Sequence, residues 1–163
     1  FCPEFDVMEA NQYAFQTTPH KCDAPTDKGF YNWCDKEGNC GQNIQKLALY
    51  DYGYGSQYKI NTQNEFHVKL EFGWSNTLFT EFKTTMTQGN NSISLYGNCD
   101  SNKYMTDDLR SGMIFVITNW STYDNWLWGN RCKASSCNQG DIIYKNLEFW
   151  TGDHLIHYAN LLQ

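Results

Sequence analysis

A strict alternation of apolar and polar side chains near the middle of the sequence limits its possible folds more than any other feature. Apolar residues occupy every second position there, at Phe66, Val68, Leu70 and Phe72. This period of two is typical of a β-strand with one buried face. Two further strands are predicted at 78–86 and 92–96, with a turn between them at 88–91. The sequence therefore predicts a β-sheet in this region.

Short strands are predicted in other parts of the chain as well. They cover 1–9, 113–120 and 141–149. The stretch 10–57 is predicted to be irregular, and one short capped helical turn is predicted at 106–110, ending at Gly112. Short strands separated by turn signals are typical of a β-sandwich. Since 163 residues is the length of one domain, we expect a single all-β domain over 1–163.

The charge balance argues against two classes of partner. The chain carries 12 basic and 18 acidic residues, a formal net charge of −6, so it is poorly suited to holding the phosphates of a nucleic acid. Its longest apolar run has five residues, at 113–117, whereas a membrane-spanning helix needs about 20. We therefore expect neither nucleic acid nor membrane as a partner. Aromatic residues reach 17% and charged residues only 18%, which favours an uncharged partner such as a sugar polymer.

The cysteines and the glycosylation sequons predict a secreted glycoprotein. Seven cysteines are typical of an oxidising compartment. They lack the close pairing of a zinc site, and the four histidines are scattered, so no metal site is expected. Sequons for N-glycosylation begin at Asn90 and Asn119. Extracellular localisation is the simplest joint interpretation.

An acidic segment at 4–9 is the most informative one for function. On a regular strand Glu4 and Asp6 point to the same face, while Glu9, five positions after Glu4, points to the opposite one. One extra residue, a β-bulge near 7–8, would return Glu9 to the face of the other two acids. The spacing is therefore compatible with three carboxyl groups on one strand face.

Crowded carboxyl groups have a chemical consequence. Their mutual repulsion raises the pKa of at least one of them, so that one stays protonated near neutral pH while another is ionised. A retaining glycosidase needs this division between a general acid and a nucleophile. A solvated acidic strand edge is the alternative interpretation, and the spacing alone does not exclude it.

The residues around these acids resemble the signature of a known enzyme family. Residues 4–11 read E-F-D-V-M-E-A-N, and residues 18–22 read T-P-H-K-C. The combination resembles glycoside hydrolase family 7, the family of fungal cellobiohydrolases and endoglucanases. Later segments are similar to the family pattern in the same order, at 33–41, 58–72, 79–91, 112–128 and 143–149.

The resemblance implies a curved, concanavalin-like jelly-roll sandwich with a cleft on its concave face. It also implies hydrolysis of β-1,4-glucan, in cellulose or a related cell-wall glucan, with retention of configuration. Glu4 matches the family nucleophile, and Glu9 matches the general acid/base. Asp6 lies between them and tunes the nucleophile, while His20 matches a cleft histidine beside the acid/base.

Two tryptophans, Trp120 and Trp128, match positions at which the family stacks glucose rings. A flat aromatic face suits the apolar C–H face of a β-glucose unit. A place in the sandwich core is the alternative for each of them, and for Trp120 it stays fully open. The resemblance implies a β-glucan oligosaccharide or polysaccharide as partner and no metal or organic cofactor.

The chain also departs from the family, whose members are much longer and carry the acidic strand in mid-chain. We therefore expect this chain to correspond to the C-terminal part of the family's catalytic domain, incomplete alone and completed by a missing N-terminal half or a partner chain. The resemblance pairs Cys2 with a cysteine of that missing segment, and Cys34 with Cys40 in a small loop. The pairing of the other four cysteines stays open: Cys22, Cys99, Cys132 and Cys137.

Two alternatives to a β-1,4-glucanase follow from particular residues. Met8 stands where family 7 usually has Trp, and acid-x-acid-x-Met-Glu also resembles family 16 glycosidases, which often cut β-1,3-glucans. Ser121 and Thr122 replace a usual pair of aspartates on the product side. A glycan-binding or structural extracellular protein without catalysis is therefore the other alternative. The sequence does not decide between exo and endo action.

Overall fold

The computed structural model describes residues 2–118, 143–151 and 154–159. In these residues the chain forms ten strands: β1 (Glu4–Ala10), β2 (Phe15–His20), β3 (Gln42–Asn43), β4 (Tyr52–Gly53), β5 (Ile60–Asn61), β6 (His67–Ser75), β7 (Leu78–Gln88), β8 (Asn91–Asn98), β9 (Leu147–Thr151) and β10 (His154–Ala159). One α-helix, α1, spans Thr106–Ser111, and two 3-10 helices span Ile44–Lys46 and Asp100–Met105. No described helix is long and apolar enough to cross a membrane. The predicted all-β class is confirmed.

The strands β6, β7 and β8 form an antiparallel meander, as the alternating pattern predicts. Each strand extends beyond its predicted bounds by a few residues. Both hairpins close in two residues, at 76–77 and 89–90. Asn76 and Thr77 have φ values of 49° and 68°, the left-handed conformation that suits tight hairpins because its twist matches that of the strands. Gly89, with φ of 56°, serves the same purpose at the second turn.

A second antiparallel sheet contains β1, β2 and β3 in that order. The prediction that the whole stretch 10–57 is irregular is therefore wrong over Phe15–His20. Thr17 and Thr18 are both fully buried, so β2 has polar residues inside and shows no apolar alternation. This is the physical reason why a search for period two misses the strand.

The two sheets pack face to face through two apolar clusters. One contains Phe15, Ile44, Tyr52, Ile60, Met86, Ile93 and Leu95, and the other contains Cys40, Phe79, Phe82 and Met105. Phe5 of β1 lies against the second cluster, with its ring 5.3 Å from that of Phe82 and 5.0 Å from that of Phe72, both edge to face. The packing agrees with the expected sandwich, while the jelly-roll connection stays a prediction.

The segment after the meander differs from the prediction. Helix α1 is confirmed and ends at Gly112, whose φ is 88°. The strand predicted at 113–120 is wrong over 113–118, which pairs with no described strand. Ile114 is 91% exposed there; an apolar run forms a strand only where a neighbour accepts its hydrogen bonds. The strand predicted at 141–149 begins at Leu147 instead.

The predicted disulfide Cys34–Cys40 is also wrong. Cys34 pairs with Cys22 and Cys40 pairs with Cys99. Cys22 and Cys34 face each other across an antiparallel bridge, so Cys34 is held away from the nearer partner in sequence. Cys2 is free and exposed among the described cysteines, and its bond to a segment outside this chain stays a prediction. Two other cysteines, Cys132 and Cys137, lie outside the described residues.

Candidate active site

The strand β1 contains the predicted bulge. Asp6 pairs with Thr18, and Glu9 pairs with Gln16, so three steps along β1 correspond to two along β2. The extra residue lies within 7–8. It shifts the alternation of β1 by one position, as a bulge does, and turns Glu9 toward the face of the earlier acids.

Three carboxyl groups consequently share one face of β1. Asp6 lies close enough to both glutamates for its charge to raise the pKa of each of them. Phe5 points to the opposite side, into the aromatic contacts between the sheets. The apolar side chain therefore fixes the strand on the core while the acids face away from it.

Thr17 braces the bulge from behind. Its Oγ1 lies 3.0 Å from the carbonyl oxygen of Val7 and donates to it. The same hydroxyl lies 2.8 Å from Oγ1 of Thr84 on β7. Since Thr17 and Thr84 are both fully buried, this polar pair connects the bulge to the opposite sheet inside the core.

His20 completes the cluster from β2. In the strand register it lies opposite Glu4. Its Nε2 is 3.0 Å from Oδ2 of Asp6, and its Nδ1 is 2.6 Å from the carbonyl oxygen of Asp35. A carbonyl oxygen only accepts, so Nδ1–H is the donor there. The hydrogen bond to Asp6 raises the pKa of His20 to about 9, so at neutral pH the ring is cationic and neutralises one carboxylate.

The loop behind His20 is closed by its own polar groups. The carboxylate of Asp35 accepts hydrogen bonds from the backbone N–H of Gly38 at 3.1 Å and of Asn39 at 2.9 Å. Gly38 has a φ of 66°, and a Cβ there would collide with the side chain of Thr18. A glycine is therefore required at this position for the loop to approach β2 closely.

Glu9 and Glu4 occupy different environments on the shared face. Burial, followed by the Asp6 carboxylate, raises the pKa of Glu9 to about 7. Thr18 donates from Oγ1 to Oε2 of Glu9 at 3.2 Å, which opposes this rise. Burial and Asp6 also raise the pKa of Glu4 above its ordinary value, but the Glu4 side chain is exposed while Glu9 is half-buried. Glu9 is thus suited to exchanging a proton near neutral pH.

The structure therefore brings four predicted site residues together: Glu4, Asp6, Glu9 and His20. Three other predicted residues lie outside the described part of the chain: Trp120, Trp128 and Asn119. The asparagine of the other sequon, Asn90, lies exposed at the turn between β7 and β8, where a glycan has room.

Sequence reasoning missed the residues that support the cluster. Thr18 contacts Glu9, but the sequence marks it only as part of the T-P-H-K-C segment. Asp35 contributes a backbone carbonyl, which no side-chain pattern reveals. Gly38 offers the one usable signal, because a glycine between two cysteines often marks a tight loop.

An exposed aromatic group lies beside the loop that supports His20. Lys21, which directly follows β2, places its Nζ 4.4 Å from the ring centre of Tyr104 and 5.8 Å from that of Trp33. Trp33 is 52% and Tyr104 58% exposed. Two large aromatic rings are therefore exposed to solvent beside the loop that supports His20.

No protein-family model matches the chain, but a comparison with curated proteins finds relatives. The chain is similar to fungal endoglucanases. Endoglucanase EG-1 of Trichoderma longibrachiatum is 27% identical over 98% of this chain and 36% of its own length. Endoglucanase type C of Fusarium oxysporum is 37% identical over 44% of this chain and 18% of its own length. Endoglucanase 1 of Humicola insolens is 37% identical over 44% of this chain and 19% of its own length.

The chain corresponds to only a part of each of these relatives. The chain spans between 18% and 36% of the length of these relatives. The resemblance to fungal cellulases read from the motifs is confirmed at this coarse level. The assignment to family 7, the place of the chain within it and the activity are finer statements, which are proposed below.

Proposed function

We propose that this protein hydrolyses β-1,4-glucan with retention of configuration and belongs to glycoside hydrolase family 7, as a C-terminal part of the catalytic domain. The observation that carries the proposal is the bulge in β1, which brings Glu9 to the face of Glu4 and Asp6. An acidic strand edge that merely faces water has no need of a buried hydroxyl pair behind it. The names of the endoglucanase relatives support the choice of glucan as substrate.

The first chemical step uses the two glutamates in different states. Glu9 carries a proton near neutral pH and gives it to the glycosidic oxygen of the leaving sugar, while Glu4 attacks the anomeric carbon. The bond from that carbon to the leaving oxygen breaks as the bond to the Glu4 carboxylate forms. The product is a glycosyl ester on Glu4, and Glu9 is left ionised.

The second step reverses the proton transfer. Formation of the ester removes the negative charge of Glu4, so the pKa of Glu9 falls and its carboxylate can accept a proton from water. The resulting hydroxide equivalent attacks the anomeric carbon and frees Glu4. Two displacements at the same carbon give net retention.

Asp6 and His20 act as positioning residues in this scheme. Asp6 lies beside Glu4 and is bonded to the His20 ring, so the charge next to the nucleophile is fixed in position. The cationic ring offsets the charge of Asp6, and the Asp35 carbonyl fixes the direction in which the ring points. Without this pair the Glu4 side chain, which is exposed, would be free to leave its attacking position.

The substrate-binding surface is proposed from aromatic residues. Trp120 and Trp128 remain candidates for stacking glucose rings, and the exposed rings of Trp33 and Tyr104 lie on the side of the His20 loop. The net charge of −6 fits a neutral polymer better than an anionic one. We also propose that the protein is extracellular and glycosylated at Asn90.

The test is hydrolysis of soluble β-glucan by the complete protein, with the missing N-terminal half or partner chain present, in the wild type and in Glu4→Gln and Glu9→Gln, followed as reducing-sugar release. Loss of activity by at least about a thousandfold is expected for both, as for other single catalytic groups. Glu71→Gln, on the exposed face of β6, is the matched control and keeps wild-type activity. Product anomers followed by NMR early in the reaction show the β-anomer first if configuration is retained.

The same assay separates the other two functions. Cleavage of β-1,3-glucan in preference to β-1,4-glucan would assign the site to a family 16-like enzyme. Binding to cellulose without sugar release, at high protein concentration and long incubation, would make the protein a non-catalytic glycan binder. Activity retained in Glu4→Gln would refute the proposed roles outright.

A further inference from the structure

We infer that Asp6, Glu9 and His20 form a binding site for a divalent cation of the zinc class, and that such a cation inhibits the reaction. The binding site stands on geometry alone, while its inhibitory effect rests on the proposed function. The sequence excludes a structural metal on the basis of its cysteines; the site inferred here uses carboxylates and a ring nitrogen, and its effect is regulatory.

The three side chains already lie at metal-ligand separations. One ligand atom from each, two carboxylate oxygens and a ring nitrogen, lies within 4.8 Å of the others. The described residues contain no other group of three metal-ligating side chains that lie so close together. The separation of Nε2 of His20 from Oδ2 of Asp6 is 3.0 Å. Zinc binds nitrogen and oxygen ligands at about 2.0–2.2 Å, so this pair would subtend roughly a right angle at the ion.

Hydrogen bonds with residues outside the triad orient two of its three side chains. Nδ1 of His20 donates to the carbonyl oxygen of Asp35, which leaves Nε2 as the nitrogen that faces the carboxylates. Metal-ligating histidines are usually fixed in this way, by a hydrogen bond from the other ring nitrogen to a carbonyl or carboxylate. Thr18 likewise donates to Oε2 of Glu9, leaving the other oxygen of that carboxylate to turn toward the ion.

The set of donors selects among metals. One imidazole and two carboxylates make three protein ligands of the N and O types that zinc accepts, the number with which zinc keeps a fourth position open for water. Asp6 and His20 remain 22% and 16% exposed at their side chains, so an ion can enter and keep a water ligand. Magnesium prefers an all-oxygen octahedron, which this triad does not supply.

The cation would block the proposed reaction for a simple reason. It takes the position of the proton shared by Nε2 of His20 and Asp6, and it binds an oxygen of Glu9. A carboxylate held by a metal has no proton to give to the leaving sugar oxygen, because ligation requires the deprotonated form. The metal would thus act as an inhibitor that competes with protons, and no bond of the substrate changes.

The experiment is calorimetric titration of the chelator-treated, full-length chain with zinc chloride at mildly alkaline pH. One site per chain is expected. His20→Asn and Glu9→Gln should each weaken binding by at least about tenfold. Glu4→Gln retains binding, because Glu4 is outside the triad, and His67→Asn, a histidine at the start of β6, is the matched control. Circular dichroism establishes that each variant is folded.

The outcomes separate the site from the function. Inhibition of β-glucan hydrolysis by zinc, reversed by a chelator and not produced by magnesium, supports both parts. Binding by a wild type that releases no sugar supports the site and refutes the function together with its inhibition. Absence of binding up to millimolar zinc, or equal binding by His20→Asn and Glu9→Gln, overturns the inference.

Discussion

The hydrogen bond from Thr18 to Glu9 gives the most direct test of how the site controls its proton. In Thr18→Val the hydroxyl is replaced by a methyl group of the same shape, in a position that is fully buried. The lost bond had stabilised the ionised carboxylate, because a hydroxyl donates to it. The pKa of Glu9, about 7 with the bond in place, must therefore rise in the variant.

The size of the rise follows from the bond. Hydrogen bonds to charged groups contribute about 1.5–3 kcal/mol, and one pKa unit corresponds to about 1.4 kcal/mol. At 3.2 Å, the contact is longer than the roughly 2.5–2.7 Å of a strong hydroxyl–carboxylate bond. We therefore use the lower part of the range or less, which gives an increase of about half a unit to one unit.

The assay is the pH dependence of kcat/KM on soluble β-glucan in the presence of a chelator. The basic limb reports the loss of the general acid from the free enzyme, so it should move to higher pH by that amount. Thr85→Val is the control, because the Thr85 hydroxyl pairs with Ser94 on the outer face of β7, and its profile should coincide with the wild type. A basic limb that stays in place or moves to lower pH would refute the assignment of Glu9 as the acid.

Other perturbations act on the frame that holds the carboxylates. Thr17→Val removes the buried bonds to Val7 and Thr84 and should lower the free energy of unfolding by about 1–3 kcal/mol, measured by urea denaturation; a change below 0.5 kcal/mol would contradict the bracing role. Replacing Cys40 and Cys99 by Ser opens a loop of 59 residues and should cost about 4 kcal/mol, again by denaturation, with unchanged stability as the contrary result. In the folded protein the pKa of His20 is about 9, above the ordinary value of 6.5. The interaction of the protonated ring therefore stabilises the protein fully below pH 6.5, and this contribution is lost as the pH rises through 9. The melting temperature of the wild type should fall across that window more than the melting temperature of His20→Gln.

The sequence predicted the meander and the acid face for physical reasons that the structure bears out. In β6, Val68 and Leu70 lie half-buried against the core clusters while His67, Lys69 and Glu71 are exposed, so the pattern and the strand have one cause. The spacing of Glu4 and Glu9 showed that a bulge would be needed to place both on one face, but spacing alone did not exclude a solvated acidic edge; the structure has the bulge. Local periodicity was sufficient wherever burial is one-sided.

Prediction failed where the deciding contact is distant in the sequence or polar in character. Thr17 and Thr18 are both buried, and Thr17 is bonded to Thr84, 67 positions later, so β2 carries no apolar signature. Cys34 lies closer in sequence to Cys40 than to Cys22, but strand pairing and not sequence distance selects the partner. The run after Gly112 is apolar enough for a strand, yet a strand also requires a neighbour, which the composition of the run does not reveal.

The hydroxyl pair of Thr17 and Thr84 has a consequence for how the protein loses activity on heating. Thr17 donates a hydrogen bond to the Val7 carbonyl in the bulge and also connects β2 to β7. The separation of the carboxyl groups on β1 therefore depends on the alignment of the two sheets. A slip of the layers by a fraction of an ångström would leave every strand intact while spoiling the acid pair. Thermal inactivation would then precede melting, and the protein would have a narrower working range than its secondary structure indicates.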